Sequence, residues 1–325
     1  KLEELASAKV LGKKKFLVTG GSGFIGCHTV IKILELGHEV INFDLLPPAS
    51  WAIEDNIKKN PSYTFKSGDT KNKREVFDCV ERVDYVIHLA GILGTHETMF
   101  AIEETTKNNV LGTINVFEAL KYSQKIGAYI TLGNDWENPY TISKTCSARF
   151  AFMFNREFQT RISVIRGLNV YGTKQKLFPV IKAIPTFIYK AILGEDIPVY
   201  GDGEQIIDLV SASDTVETLI RSVIYNKEEQ YSSIIDAGTG VETSVIESVK
   251  LILELVGETQ ENNGKISNIR NLPMRRGEPI KSKTLGDVAN VENYLDFSPS
   301  TNIRDGMIET VNWYKKNYKI LEKDK

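Results

Sequence analysis

The sequence is poor in cysteine: Cys27, Cys79 and Cys146 lie far apart and form neither a CxxC pair nor an even set. A disulfide scaffold is excluded and no metal site is expected; the three read as reduced core thiols in a cytoplasmic protein. An excess of charge is also lacking. Lys and Arg number 40 against 42 Asp and Glu, a formal net charge of -2. No positive field is available to hold a polyanion, so no nucleic-acid partner is expected. No stretch approaches the roughly 20 apolar residues that span a bilayer. Residues 1–15, KLEELASAKVLGKKK, lack the apolar core of a signal peptide, and no membrane partner is expected. Residues 1–14 form a leader, which suits either a short helix with a basic end or a frayed tail.

What the chain does have is 325 residues, enough for one large α/β domain or a large domain with a smaller lobe. From Phe16 onward short apolar runs alternate with amphipathic stretches, the pattern of repeated βαβ units and a parallel sheet. Strands are expected at 15–19, 39–43, 63–66, 83–88, 127–132 and 161–166. Helices are expected at 24–36, ended by Gly37, at 100–123, and at 140–158, where Phe150, Phe152, Met153 and Phe154 make an apolar band. Beyond residue 167 the alternation weakens and Pro179, Pro185 and Pro198 appear before a glycine turn at 199–205. Two more helices, 213–226 and 242–256, and a strand near 231–236 that rejoins the main sheet are expected there.

The strongest local signal is FLVTGGSGFIGCHTVIKIL, a strand running into a glycine turn and an amphipathic helix, with Gly20, Gly23 and Gly26 three apart. One glycine takes a tight turn, the next lets backbone approach a pyrophosphate, and the third lets helix and strand pack closely. The helix start at Phe24 and Ile25 then turns unpaired N–H groups toward phosphates. The following strand, EVINFD, ends in Asp44, 18 residues after Gly26. A carboxylate there accepts hydrogen bonds from ribose hydroxyls, and no arginine follows it to compensate a 2′-phosphate, so NAD is expected over NADP. The expected fold is α/β, a Rossmann doubly wound parallel sheet over 15–170. Residues 171–325 form mainly a smaller C-terminal substrate-binding lobe, from which about 205–240 return to the main domain.

Several motifs stand in order along the chain: TGGSGFIG at 19–26, Gly68-Asp69, HLAG at 88–91, NNVLGTINVFEA at 108–119, YTISK at 140–144, RGLNVYG at 166–172, VYGDG at 199–203 and RRGE at 275–278. Together they resemble the NAD-dependent epimerase/dehydratase family of extended short-chain dehydrogenases, and within it the nucleotide-sugar 4-epimerases. The resemblance implies that Asp69 and Thr70 lie beside the adenine, that Leu89, Ala90 and Gly91 line the pyrophosphate and nicotinamide ribose, and that Asn109 sits near the cofactor.

Tyr140 and Lys144 are one helical turn apart on one face. A tyrosine with a pKa of about 10 is a weak base at neutral pH, and a nearby ammonium stabilises its phenolate. Tyr140 then takes a proton from a sugar hydroxyl as hydride moves to NAD. The family supplies a Ser or Thr at the end of the preceding strand. In AYITLGNDWENPY only Thr131 offers a hydroxyl between Ile130 and Tyr140, and the shortened loop equally allows Gly133 or Asn134 at that place. The family's 4,6-dehydratases carry an Asp-Glu pair directly after this Thr, where Leu132 and Gly133 stand here; Asp135 and Glu137 are the nearest substitutes.

At the substrate end the resemblance implies that Asn169 contacts the substrate diphosphate, Tyr200 the nucleotide base, and Arg275 the diphosphate through paired hydrogen bonds. Where the family has Arg-Asp after the glycine turn, this chain has Ile207-Asp208. The missing cation is expected to be lost or replaced by Lys174, Lys176 or Arg276. The expected function is C4 epimerisation of a nucleotide sugar, a UDP-sugar foremost. A 4,6-dehydratase is the alternative within the class, and a noncatalytic NAD-binding sensor the alternative outside it. The apolar helices 100–123 and 140–158 suit a homodimer.

Overall fold

A computed structural model describes residues 1–258 and 261–324. Its centre is a seven-stranded sheet. Six strands are β1 (Lys15–Thr19), β2 (Glu39–Asp44), β3 (Tyr63–Ser67), β4 (Tyr85–His88), β5 (Ile126–Leu132) and β6 (Arg161–Gly167), and the seventh is Ile234–Ala237. Their spatial order is Ile234–Ala237, β6, β5, β4, β1, β2, β3, and every pairing is parallel. Strands covered on both faces read as nearly unbroken apolar runs, and β1 and β5 are buried along almost their whole length. The order reverses between β1 and β4, so the connections leaving their carboxyl ends diverge and open the crevice where such sheets bind ligands.

One face of the sheet carries a core of Leu17, Ile41, Val76, Phe117, Tyr129 and Phe154, built with helices Lys73–Val80, Thr113–Ser123 and Pro139–Phe158. On the other face, Phe16, Val18 and Ile165 meet helices Phe24–Glu35 and Ala212–Ile224. That core continues through helices Ala183–Leu193, Val245–Val256 and Ile303–Leu321. Three two-stranded ladders stand beyond the carboxyl ends: Asn169–Tyr171 with Leu209–Ser211, Ile197–Tyr200 with Ile269–Leu272, and Ile206–Ile207 with Thr243–Ser244.

Several elements differ from expectation for identifiable reasons. The opening segment forms two short helices, Leu2–Ala6 and Ala8–Leu11, with Leu2 and Ala6 buried. They are tied down by the His38 imidazole against the Ala6 carbonyl (2.6 Å) and by Ala8 N–H to Leu36 O (2.8 Å). The expected helix 100–123 is broken into a 3-10 turn at Glu97–Phe100, a helix at Ile102–Thr106, a π turn at Lys107–Gly112 and the helix Thr113–Ser123. The π turn swings Asn109 inward to bond outside its own helix. β4 starts at Tyr85 rather than residue 83, and Ile234–Ala237 joins the sheet beside β6 after a 3-10 turn at Glu228–Ser232. Among the described residues no helix is long and apolar enough to cross a membrane.

Candidate active site

The glycine turn after β1 is built from close backbone contacts. Gly20 has φ +70°, and a Cβ on it would stand 2.7 Å from the Ala90 nitrogen. On Gly26 a Cβ would meet the Gly20 oxygen at 2.1 Å, so only glycine lets the helix approach the loop this closely. The helix starting at Phe24 has Gly23 as N-cap with no side-chain cap, so the amides of Phe24 and Ile25 keep the unpaired character of a first turn. This cradle fits a pyrophosphate. Asp44, at the end of β2, accepts the Ser22 N–H at 3.0 Å. Burial raises its pKa, against the opposing pull of the Ser22, Leu46 and Leu45 backbone and of Lys176.

Behind the loop stands Asn42, fully buried. Its amide donates to Ser22 Oγ (3.2 Å) and Tyr63 OH (3.1 Å), and a Cβ on Gly21 would collide with its oxygen. On the neighbouring strand, Thr19 Oγ1 accepts the N–H groups of Leu89 (3.2 Å) and Ala90 (3.3 Å). Its own proton therefore goes to His88 Nδ1 (2.6 Å), and the His88 Nε2–H reaches Thr113 Oγ1 (2.9 Å). Burial foremost, and then the Lys144 charge, push the His88 pKa down to about 3, so this imidazole is neutral. This relay holds the Leu89–Ala90 stretch against Gly20. Gly91 lies against Asn109, whose amide donates to Ile92 O (3.0 Å) and Ser143 Oγ (3.0 Å) and whose oxygen accepts Ile92 N–H (2.7 Å). Asp69 caps its own turn by accepting Lys71 N–H at 2.9 Å, and Thr70 is buried where Gly112 leaves room for it.

The helix Pro139–Phe158 starts with Pro in its first turn and Asn138 as N-cap, which accepts Thr141 N–H at 2.9 Å. This places Tyr140 in the first turn and Lys144 one turn on. Burial pushes the Tyr140 phenol up to about 12 and the Lys144 ammonium down to about 7. Lys144 Nζ lies 4.4 Å from the centroid of the Tyr129 ring. The Thr131 hydroxyl donates to the Lys144 carbonyl at 3.3 Å. This bond ties the helix to β5. Gly133 carries no hydroxyl, and the Leu168 and Thr284 side chains pack close against it. Asn134 accepts from Thr141 Oγ1 at 3.0 Å. Asp135 and Glu137 line a groove with Ile142, Cys146 and Arg149 on the outer face of the helix.

Three segments close over Tyr140. Thr98 Oγ1 accepts the Tyr140 N–H at 3.3 Å. Residues 273–287 run across the site as a strap. Its Gly277 has φ +83° and sits against Thr95 and Asn138, with the Asn138 amide donating to Gly277 O at 3.0 Å. Arg275 pairs with Glu278, which also accepts Thr95 Oγ1, and the guanidinium lies 4.9 Å from the centroid of the Tyr200 ring. The third segment ends at Lys182, whose Nζ is 5.9 Å from the Tyr140 ring centroid. Asn169 begins the short strand after β6, its backbone N–H bonded to Asp208 O at 3.0 Å.

The profile of the NAD dependent epimerase/dehydratase family matches residues 16–235. The chain belongs to that family. NAD is its cofactor, as the glycine cradle and Asp44 require. A putative UDP-glucose 4-epimerase of Methanocaldococcus jannaschii is 28% identical over 93% of this chain and 98% of its own length. The human dTDP-D-glucose 4,6-dehydratase is 26% identical over 94% of this chain and 91% of its own. An epimerase structure from Methanothermobacter thermautotrophicus superposes with a TM-score of 0.85 at 25% identity, covering 96% of this chain and 95% of that one. The family's nucleotide-sugar enzymes thus flank this chain with epimerases and dehydratases at similar distance.

Within that family frame, the structure brings the glycine turn together with Asp44 and with Leu89–Ala90, Gly91 with Asn109, and Arg275 with Tyr200. Lys174 and Lys176 do not reach this strap: Lys174 Nζ donates to Ala52 O at 3.1 Å and Lys176 faces Asp44. No role was assigned from sequence to Asn42, His88, Thr98, Lys182 or Asp208. The first two had a signal, a polar side chain inside an otherwise apolar parallel strand. Asp208 is fully buried and accepts four bonds, from Thr239 N–H and Oγ1, Gly240 N–H and Gly286 N–H, at 2.7–3.0 Å.

Proposed function

We propose that this protein is an NAD-dependent nucleotide-sugar 4-epimerase, inverting C4 through a transient 4-keto sugar and acting foremost on a UDP-sugar. The observation that carries the reading is the end of β5. Leu132 and Gly133 stand where an acid–base pair for water removal is needed, and Asp135 and Glu137 line the outer groove with Ile142 and Cys146. With that pair absent from the cleft, chemistry at C4 alone fits the residues better than a 4,6-dehydration.

Held by the glycine turn, Asp44 and Leu89–Gly91, NAD would supply reversible hydride acceptance at C4 without net consumption. The chain's own residues do the rest. Tyr140 takes the proton of the C4 hydroxyl and gives it back. Because burial drives its phenol up to about 12, ionisation near neutrality requires positive charge close by; that role falls to Lys144 one turn along the helix in its protonated form, which burial, lowering its ammonium to about 7, leaves only partly populated at neutrality. Arg275 holds the diphosphate and Tyr200 the base, with Asn169 at the diphosphate as well. Asp69 and Thr70 would border the adenine, and Asn109 fixes the Gly91–Ile92 backbone that would line the cofactor. Thr131, the hydroxyl at the end of β5, hydrogen-bonds the reacting oxygen, besides tying the helix to its strand.

We place the protein in the cytoplasm as a homodimer. The outer face of Pro139–Phe158 bears a mainly apolar groove of about 570 Å³ lined by Trp136, Ile142, Cys146, Phe150 and Met153, and Ile142 is 59% exposed. Sedimentation at monomer mass across concentrations would sink the dimer. The activity is tested by incubating purified protein with UDP-, dTDP-, GDP- and CDP-sugars without added NAD. An equilibrium mixture of C4 epimers is expected; a 4-keto-6-deoxy product overturns the epimerase reading, and no turnover with any of them favours an NAD-binding sensor.

A further inference from the structure

Lys144 has no carboxylate to hold its charge. Among the described residues no carboxylate oxygen lies within 4.0 Å of its Nζ, and burial is the one cause that moves its ammonium. Its helix is packed by β5, β6, the π turn Lys107–Gly112, the helices Ile102–Thr106 and Thr113–Ser123, and the turns Glu97–Phe100 and Glu228–Ser232. None of them brings a charge that shifts it. The titratable side chains that face it are His88 from β4, Tyr129 from β5 and Tyr140 from its own helix. Tyr129 meets it with a ring face: Nζ stands over the ring, 4.4 Å from the centroid.

That ring is itself fixed. Tyr129 is fully buried, stacks on His88 with centroids 5.6 Å apart and meets Phe117 edge-on at 5.6 Å. Its hydroxyl donates to the Lys144 carbonyl at 3.2 Å, so one side chain grips Lys144 at both the backbone and the ammonium. An ammonium drawn out of water needs compensation, and the negative face of an aromatic ring supplies part of it. A carboxylate would hold the cation more strongly, but it would also cancel the positive charge that Lys144 offers to the Tyr140 phenolate. The ring holds the cation and leaves its net charge intact. Resting on the reading that charged Lys144 lets Tyr140 ionise, we propose that Tyr129 is a positioning residue for the reaction: the face of its ring keeps the Lys144 side chain in place as an ammonium.

The test is an NMR pH titration of the NAD-loaded protein, isotope-labelled at lysine Cε and free of substrate, with the Lys144 signal assigned by its loss in Lys144→Met. Tyr129→Phe keeps the ring face and drops the hydroxyl, Tyr129→Leu drops both, and fluorinated phenylalanines at position 129 keep the shape while draining the face of electron density. The Lys144 pKa is expected to hold in Tyr129→Phe, to fall by about one unit in Tyr129→Leu, and to fall stepwise with added fluorine. On the nucleotide sugar that turns over, kcat is expected to fall in the same order at unchanged KM. A titration unmoved by fluorination overturns the proposal, even where Tyr129→Leu does not fold. A fall in Tyr129→Phe as large as in Tyr129→Leu also overturns it, assigning the hold to the hydroxyl, as does a flat kcat while the titration moves. Wild type that turns over no nucleotide sugar brings down the proposed function, and the substrate-free titration still decides the ring's hold on Lys144.

Discussion

Replacing His88 tests whether the relay behind the cofactor loop rests on a neutral imidazole. Its pKa stands at about 3 in the fold against 6.5 for the free side chain. Between those values the unfolded chain binds a proton that the folded chain does not, so stability rises with pH and is lost as pH falls from about 6.5 toward 3. At pH 5 the loss covers one and a half units at about 1.4 kcal/mol each, about 2 kcal/mol. Asparagine at position 88 removes the titration but leaves Thr19 Oγ1 and Thr113 Oγ1 short of a partner, at a cost of about 1–3 kcal/mol at pH 7. Urea unfolding of wild type and His88→Asn at pH 7, 6 and 5 measures both effects. The two stabilities are expected to converge by about 2 kcal/mol between pH 7 and 5, because only wild type carries this proton uptake. Parallel curves would show that His88 is charged in the fold and that the assigned tautomer is wrong.

Other consequences follow from the same geometry. Tyr140→Phe is expected to lower kcat by about a thousandfold while NAD stays bound, read from turnover and from the cofactor released on denaturation. Gly26→Ala puts a Cβ 2.1 Å from the Gly20 oxygen. It should lose bound NAD and about 1–3 kcal/mol of stability, since backbone rather than a flexible side chain has to yield. Asp208→Ala leaves the N–H groups of Thr239, Gly240 and Gly286 without their acceptor. A destabilisation of about 3 kcal/mol or more is expected in denaturant titration.

The βαβ order was legible because parallel strands buried on both faces, such as β1 and β5, leave continuous apolar runs, and because the glycine triplet and Asp44 have spacings set by a pyrophosphate and a ribose. Tyr140 and Lys144 were legible through a single helical turn. The features that went unseen depend on partners distant in sequence. Nothing in the sequence of Lys107–Gly112 marks the π turn, which shows in the bonds of Asn109 to Ile92 and Ser143. For the opening segment the sequence left helix and frayed tail open, and the bonds of His38 and Leu36 decide for helix. Lys182 reads as one lysine among many until the fold sets it beside Tyr140.

The central claim, direct return of hydrogen to C4, is tested with a nucleotide sugar deuterated at C4 and followed by proton NMR in ordinary water. Retention of deuterium at C4 in the product epimer, with NAD content unchanged, is the predicted result. Washout of the label into solvent, or a 4-keto-6-deoxy product, would contradict the account.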